Sequence, residues 1–300
     1  MRRLLQAAAL AASLLSGSGT VQAADKIKVV ASFSILGDMV RQVGGDRVAV
    51  ATLVGPNADA HVFQPTPADA KTVAAAKVLF LNGLGFEGWI SRLQKSSGFK
   101  GLAVTASKGV RSREMEEEHG GQPHKVTDPH AWQSLANGRI YVQNIRDGLS
   151  AADPEGKATY EANAGKYLAE IDKVETQVKE TIAKLAPERR RIITSHEAFG
   201  YFGATYGLEF IAPEGVSTDS EASARDVAKI IRQIKKQKIP AVFLENVSDR
   251  RLLDQIARET GARIGGTLYS DALSDPSGPA GTYLGMFRHN IQALTGALSS

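Results

Sequence analysis

The apolar positions of this chain alternate between two patterns. Continuous runs of strand length occupy residues 28–32, 48–54 ("VAVATLV"), 77–82 ("KVLFLN") and 101–105 ("GLAVT"). Between them lie longer stretches with apolar residues three and four apart, in "ILGDMVRQVGG" (35–45), "ADAKTVAAA" (68–76) and "FEGWISRLQ" (86–94), which reads as helix. Thr66 and Pro67 offer a cap and a first helical position for the second of these. The rhythm returns near residue 190. "RIITS" (191–195), "LEFIA" (208–212), "AVFLE" (241–245) and "ARIGGTLY" (262–269) read as strands. "AFGYFGATYG" (198–207), "SARDVAKIIRQIKKQK" (223–238), "DRRLLDQIARETG" (249–261) and "TYLGMFRHNIQALTGAL" (282–298) read as helices. Strands alternating with helices predict an α/β protein with parallel sheets.

Between the two halves the pattern changes. Leu168, Ile171, Val174, Val178, Ile182 and Leu185 form one helical stripe. They predict a helix from about Pro154 to about Ala186, a stiff strut between the halves. Two shorter helices broken near Gly165 are the alternative, since glycine within a helix costs about 1 kcal/mol. Residues 111–127, with the run "REMEEEHGGQPHK", show no periodicity and little apolar content, and are expected to form a mobile loop.

Composition narrows the class. Apolar residues make up 43% and charged residues 23%, as in an ordinary globular protein. Residues 1–23 read as a secretory signal: Arg2 and Arg3, the apolar "LLQAAALAASLL", then "VQA" before Ala24. Setting those two arginines aside leaves 34 of the 36 basic residues against 32 acidic ones, so the charge gives no reason to expect nucleic acid. No apolar run after the signal approaches the length of a membrane span. There is no cysteine, hence no disulfide, thiolate site or lipid-bearing cysteine. A soluble periplasmic monomer is expected.

Chemistry is concentrated in few residues. Of six histidines, His119 and His124 lie in the polar segment and His289 lies within the last helix. His61, His130 and His196 sit in "NADAHVF", "TDPHAW" and "TSHEAF", each at the edge of a strand or helix, and Asp271 follows the strand at 262–269. Ligands gather at the carboxyl ends of strands in open α/β sheets. Three imidazoles and a carboxylate, each from a different quarter of the chain, could fill a tetrahedral zinc shell; each could equally cap or hydrogen-bond its own loop. Enzyme motifs are missing. "SHEAF" starts as H-E-x-x-H but ends on Gly200, zinc deaminases need cysteine, and there is no nucleotide-binding glycine loop or G-x-S-x-G elbow.

The segments "GPNADAHVFQPTPADAK", "VLFLNGLGFEGWI", "DPHAWQS", "TSHEAFGYFGATYGL" and "LYSDALSD" resemble, in order, the motifs of the periplasmic zinc- and manganese-binding proteins that feed metal ABC importers. The resemblance covers essentially the whole chain after the signal. It implies two lobes, each a parallel sheet flanked by helices, joined by one long rigid helix, with the metal in the cleft. The corresponding division is residues 1–23 signal peptide, 24–152 first lobe, 153–187 connecting helix and 188–300 second lobe. Motif by motif, His61 and His130 come from the first lobe and His196 and Asp271 from the second. Histidine at the third position implies zinc; glutamate there would imply manganese. The implied activity is capture of Zn²⁺ and delivery to a membrane permease, not catalysis. Manganese transport, a metal-bearing adhesin and a zinc hydrolase are the alternatives. Many zinc members carry a long histidine-rich loop, which here is short. His119, His124, Glu116, Glu117 and Glu118 are candidates for an accessory site there, loaded from solution or by a periplasmic zinc-donor protein.

Overall fold

The computed structural model describes residues 25–119, 122–219, 222–239 and 241–299; the side chains of residues 116–119, 122 and 123 are also outside the description. The proposed signal segment thus lies outside the described residues.

The first sheet runs β2-β1-β3-β4, all parallel. Its strands are β1 (Ile27–Phe33), β2 (Val48–Val54), β3 (Val78–Leu81) and β4 (Leu102–Thr105). Five consecutive residues of β1, Val29 to Phe33, are buried. A strand covered on both faces needs such an unbroken apolar run. α1 (Ser34–Gly44) buries Ile35, Leu36, Met39, Val40 and Val43, a helical stripe. α2 (Pro67–Ala74) opens with a reciprocal capping box between Thr66 and Asp69, worth about 1 kcal/mol. α3 (Ile90–Ser97) ends at Gly98, whose φ of +66° suits glycine.

The segment that shows no periodicity in the sequence forms an antiparallel hairpin, β5 (Arg113–His119) with β6 (Gln122–Asp128). The glutamate run hides the strand from an apolar alternation test, because its pairing is polar. Glu114 lies 3.6 Å from Lys125, and Arg113 at the base lies 3.7 Å from the buried Asp128.

α4 (Leu135–Ala152) has no counterpart in the sequence pattern. Its buried stripe of Leu135, Tyr141, Val142, Ile145 and Leu149 is interrupted by Gly138 and Gly148. Both glycines are there for closeness: a Cβ would stand 2.6 Å from the Tyr283 hydroxyl at Gly138 and 2.7 Å from Val104 at Gly148. α5 (Lys157–Ala183) is the long connecting helix, 27 residues or about 40 Å, after a 3-10 turn at Pro154–Gly156. It passes unbroken through Gly165, which faces open space. The expected helix is therefore continuous, shorter by about a turn at its start and a few residues at its end. Asp153 fastens that start. It receives Nε and Nη2 of Arg47 at 2.9 and 3.0 Å and the Tyr160 hydroxyl at 2.6 Å.

The second sheet, β10-β9-β7-β8, is also parallel. It comprises β7 (Arg191–Ile193), β8 (Glu209–Ile211), β9 (Ala241–Glu245) and β10 (Arg263–Leu268), with helices α6 (Gly200–Tyr206), α7 (Ala224–Gln237), α8 (Arg250–Thr260) and α9 (Tyr283–Leu298). α5 packs on α1, α4 and α9, so one apolar core runs from the first lobe through α5 into the second. A separate cluster, including Ile193, Val227, Ile230, Val242, Leu253 and Ile256, fills the space beneath α7 and α8. Among the described residues no helix is long and apolar enough to cross a membrane.

Candidate metal centre

Each of the four candidate residues sits on a loop fixed by its neighbours. His61 follows β2 beyond the Gly55-Pro56 stop. Its backbone N–H donates to Asp59 Oδ1 at 2.8 Å, and its ring rests on the edge of Phe86, 4.8 Å between centroids. His130 follows β6. Asp128 Oδ1 accepts its backbone N–H at 3.0 Å and meets its Nδ1 at 2.9 Å. His196 follows β7. Glu245, at the end of β9, accepts the N–H groups of Ser195 and His196 through Oε1 at 2.7 and 3.0 Å, and its Oε2 lies 2.8 Å from His196 Nδ1. Asp271 follows β10 on a strap tied down at Ser270, whose carbonyl accepts from Trp132 Nε1 at 2.9 Å and Gln133 Nε2 at 2.7 Å.

These loops bring the ligating atoms of all four within 4.8 Å of one another. His61 and His130 approach through Nε2 at 3.4 Å. Asp271 reaches Nε2 of His196 at 3.0 Å, of His61 at 3.3 Å and of His130 at 3.5 Å. Ligands about 2.05 Å from a tetrahedral zinc ion stand about 3.3 Å apart, so these distances suit one small ion. His130, His196 and Asp271 are fully buried, and the His61 side chain is 4% exposed. Asp128 against Nδ1 of His130 keeps a neutral ring's proton there and turns the Nε2 lone pair inward, and Glu245 beside Nδ1 of His196 favours the same tautomer.

The charges are strongly coupled. Burial works against the imidazolium of His130, yet Asp271 and then Asp128 outweigh it and push its pKa up to about 9. Burial likewise opposes charge on His196, and Glu245 and Asp271 overcome it and raise it. Burial would raise Asp271, but His196 and His130 hold it well below the usual carboxylate range. The arrangement is a buried cluster in which carboxylates hold protons on the imidazoles.

Comparison with known proteins fits this geometry. The sequence profile of the family described as "Zinc-uptake complex component A periplasmic" (ZnuA) matches residues 29–297. The chain belongs to this family. Members are periplasmic metal-binding components of ABC importers, solute-binding proteins rather than enzymes. The manganese-binding lipoprotein MntA of Halalkalibacterium halodurans is 31% identical over 94% of this chain and 92% of its own length. The iron-binding protein YfeA of Yersinia pestis is 30% identical over 95% and 90%. Among solved structures, the periplasmic zinc-binding protein TroA of Treponema pallidum superposes with a TM-score of 0.85 at 29% identity, covering 91% of this chain and 99% of TroA. The manganese-bound periplasmic metal-binding protein of Candidatus Liberibacter asiaticus gives 0.80 at 33% identity, covering 91% and 100%. The two-lobed α/β fold with its long connecting helix matches that of TroA.

Other sequence candidates lie elsewhere. His289 is half-buried on α9, its Nε2 2.9 Å from the Thr267 carbonyl. His124 is exposed on β6, opposite Glu117 in the hairpin register. The side chains of His119, Glu116, Glu117 and Glu118 fall outside the description, so the accessory site is not placed.

Sequence reasoning missed Asp128 and Glu245. A local signal for Asp128 was present: Asp59-Ala60-His61 and Asp128-Pro129-His130 repeat one Asp-x-His motif, and in both the carboxylate accepts the histidine's backbone N–H. Glu245 carried only its place at a strand's carboxyl end. Glu245→Gln should weaken metal binding about 10- to 100-fold, the usual cost of losing a carboxylate behind a ligating imidazole. Titration against a chromophoric chelator measures it, and an unchanged affinity would show that Glu245 does not orient His196.

Proposed function

We propose that this ZnuA-family protein captures Zn²⁺ between its lobes and delivers it to the permease of an ABC importer, with His61, His130, His196 and Asp271 as the ligands. The observation that carries the reading is the convergence of three imidazoles and one carboxylate, with ligating atoms within 4.8 Å of one another and the closest pairs 3.0–3.5 Å apart. All four positions come from protein, and the centre is closed. A catalytic zinc keeps a position for water, whereas a closed shell serves carriage and release. Nitrogen-rich ligation favours zinc over manganese, which prefers oxygen. His196 at the third motif position supports the same choice. Residues 1–23 then serve as the export signal, with lobes at 24–152 and 188–300 flanking the connector at 153–187. A monomer, loaded from solution or by a zinc-donor protein, completes the reading.

The names of the relatives keep a second reading in view, because those for MntA and YfeA specify manganese and iron. Elemental analysis of protein purified from the periplasm without a metal-chelating tag separates the two. About one zinc per chain is expected. Manganese or iron at that stoichiometry, with zinc at trace level, would overturn the choice of metal.

A further inference from the structure

The two Asp-x-His motifs use their carboxylates differently. Asp128 gives one oxygen to both the backbone N–H and the ring of His130. Asp59 gives Oδ1 to the backbone N–H of His61, but its Oδ2 receives the hydroxyl of Thr218 at 2.5 Å, from the loop after β8 in the opposite lobe. The rest of the His61 loop also reaches across. The N–H of Asn57 donates to the Leu273 carbonyl at 2.9 Å. Asn246 Nδ2 donates to Asn57 Oδ1 and to the Ala272 carbonyl, both at 3.2 Å. Leu273 and Ala272 follow Asp271 directly. Asn57 takes up a left-handed φ of +53° within this loop.

Two ties between the lobes close to His130 and Asp271 are buried. The Tyr283 hydroxyl donates to the Trp132 carbonyl at 2.6 Å, and Trp132 and Gln133 hold Ser270. His130 is thereby fixed to the strap that carries Asp271. His61 is the ligand whose side chain retains exposure, and part-exposed side-chain hydrogen bonds hold its loop to the second lobe. Such bonds open far more readily than a buried core.

We propose that Asp59 and Thr218 form a latch that ties presentation of His61 to closure of the lobes, so that opening of this latch sets how fast metal leaves. Asp59 is a positioning residue: it holds the backbone of the ligand with one oxygen and the opposite lobe with the other. Release starts with departure of the His61 loop, while His130, His196 and Asp271 stay together. The proposal rests on the ligand assignment given above.

Stopped-flow transfer of zinc from loaded protein to excess chromophoric chelator tests it, with Thr218→Val, Thr218→Ser and wild type side by side. Thr218→Val keeps the shape and removes the hydroxyl. It should release zinc about tenfold faster, as loss of one hydrogen bond to a charged group implies. Thr218→Ser should release at close to the wild-type rate. The visible absorption of Co²⁺-loaded protein should be the same in all three, because the ligand shell is intact at equilibrium. Equal release rates for Thr218→Val and for a wild type that loads normally would overturn the latch alone. A wild type that takes up no zinc, or one whose His61→Ala variant binds as tightly, would overturn the ligand assignment and the latch with it.

Discussion

Alanine in place of His130 is expected to lower zinc affinity by about 100- to 1,000-fold. A complete protein zinc shell is worth roughly 10–16 kcal/mol, so each of four ligands carries about 3 kcal/mol. His130 has no exposure through which water could enter and substitute cheaply, and its Nε2 faces both His61 and Asp271. The same change at His61 or His196 should fall in this range, and so should Asp271→Ala, since that carboxylate is as buried as His130. His289→Ala is the control. That imidazole meets the Thr267 carbonyl between α9 and β10, away from the centre, and its loss should alter affinity by less than about twofold. Competition titrations settle the comparison. Undiminished affinity in His130→Ala, or an equal loss in His289→Ala, would refute the ligand set.

Affinity should also climb steeply with pH to about 9. Zinc binds neutral imidazole, so each ring that is protonated in the metal-free protein must release its proton first. Free histidine titrates near 6.5, which would place the whole dependence at mildly acidic pH. Here Asp271 and Asp128 hold the His130 proton up to about 9, and Glu245 and Asp271 hold that of His196. A raised pKa means that the protonated form persists at neutral pH, so lowering the pH strengthens the competing proton and weakens the metal. The apparent dissociation constant should fall about 10- to 100-fold per pH unit between 6 and 8, for one or two protons displaced. Calorimetry in buffers of different ionisation enthalpy counts those protons directly. An affinity flat above pH 7, with no proton released, would show that the rings are already neutral in the metal-free protein.

The legible part of this chain was its apolar periodicity. Strands such as Ile27–Phe33 and Ala241–Glu245 carry uninterrupted apolar runs because parallel strands are covered on both faces. The stripe from Ile171 to Ile182 is read directly as the buried side of α5. α4 escaped because Gly138 and Gly148 lower its helical signal, and both are required by neighbours distant in sequence, Tyr283 and Val104. The hairpin escaped because Met115 and Val126 form its one apolar cross-strand pair among polar neighbours, so its strands show no apolar alternation. At the centre, the four residues at loop edges were visible one by one. Asp128 and Glu245 acquire their roles only when folding sets them on the outer nitrogens of His130 and His196. Thr218 has no sequence signal at all; its meaning lies in a contact made across the cleft.

Diffraction from crystals of the zinc-loaded protein, recorded on either side of the zinc absorption edge, is the most direct test of where the metal sits. A single anomalous peak is expected about 2.0–2.1 Å from Nε2 of His61, His130 and His196 and about 2.0–2.2 Å from a carboxylate oxygen of Asp271. A fully occupied peak elsewhere, or one that leaves any of these four residues uncoordinated, would contradict it.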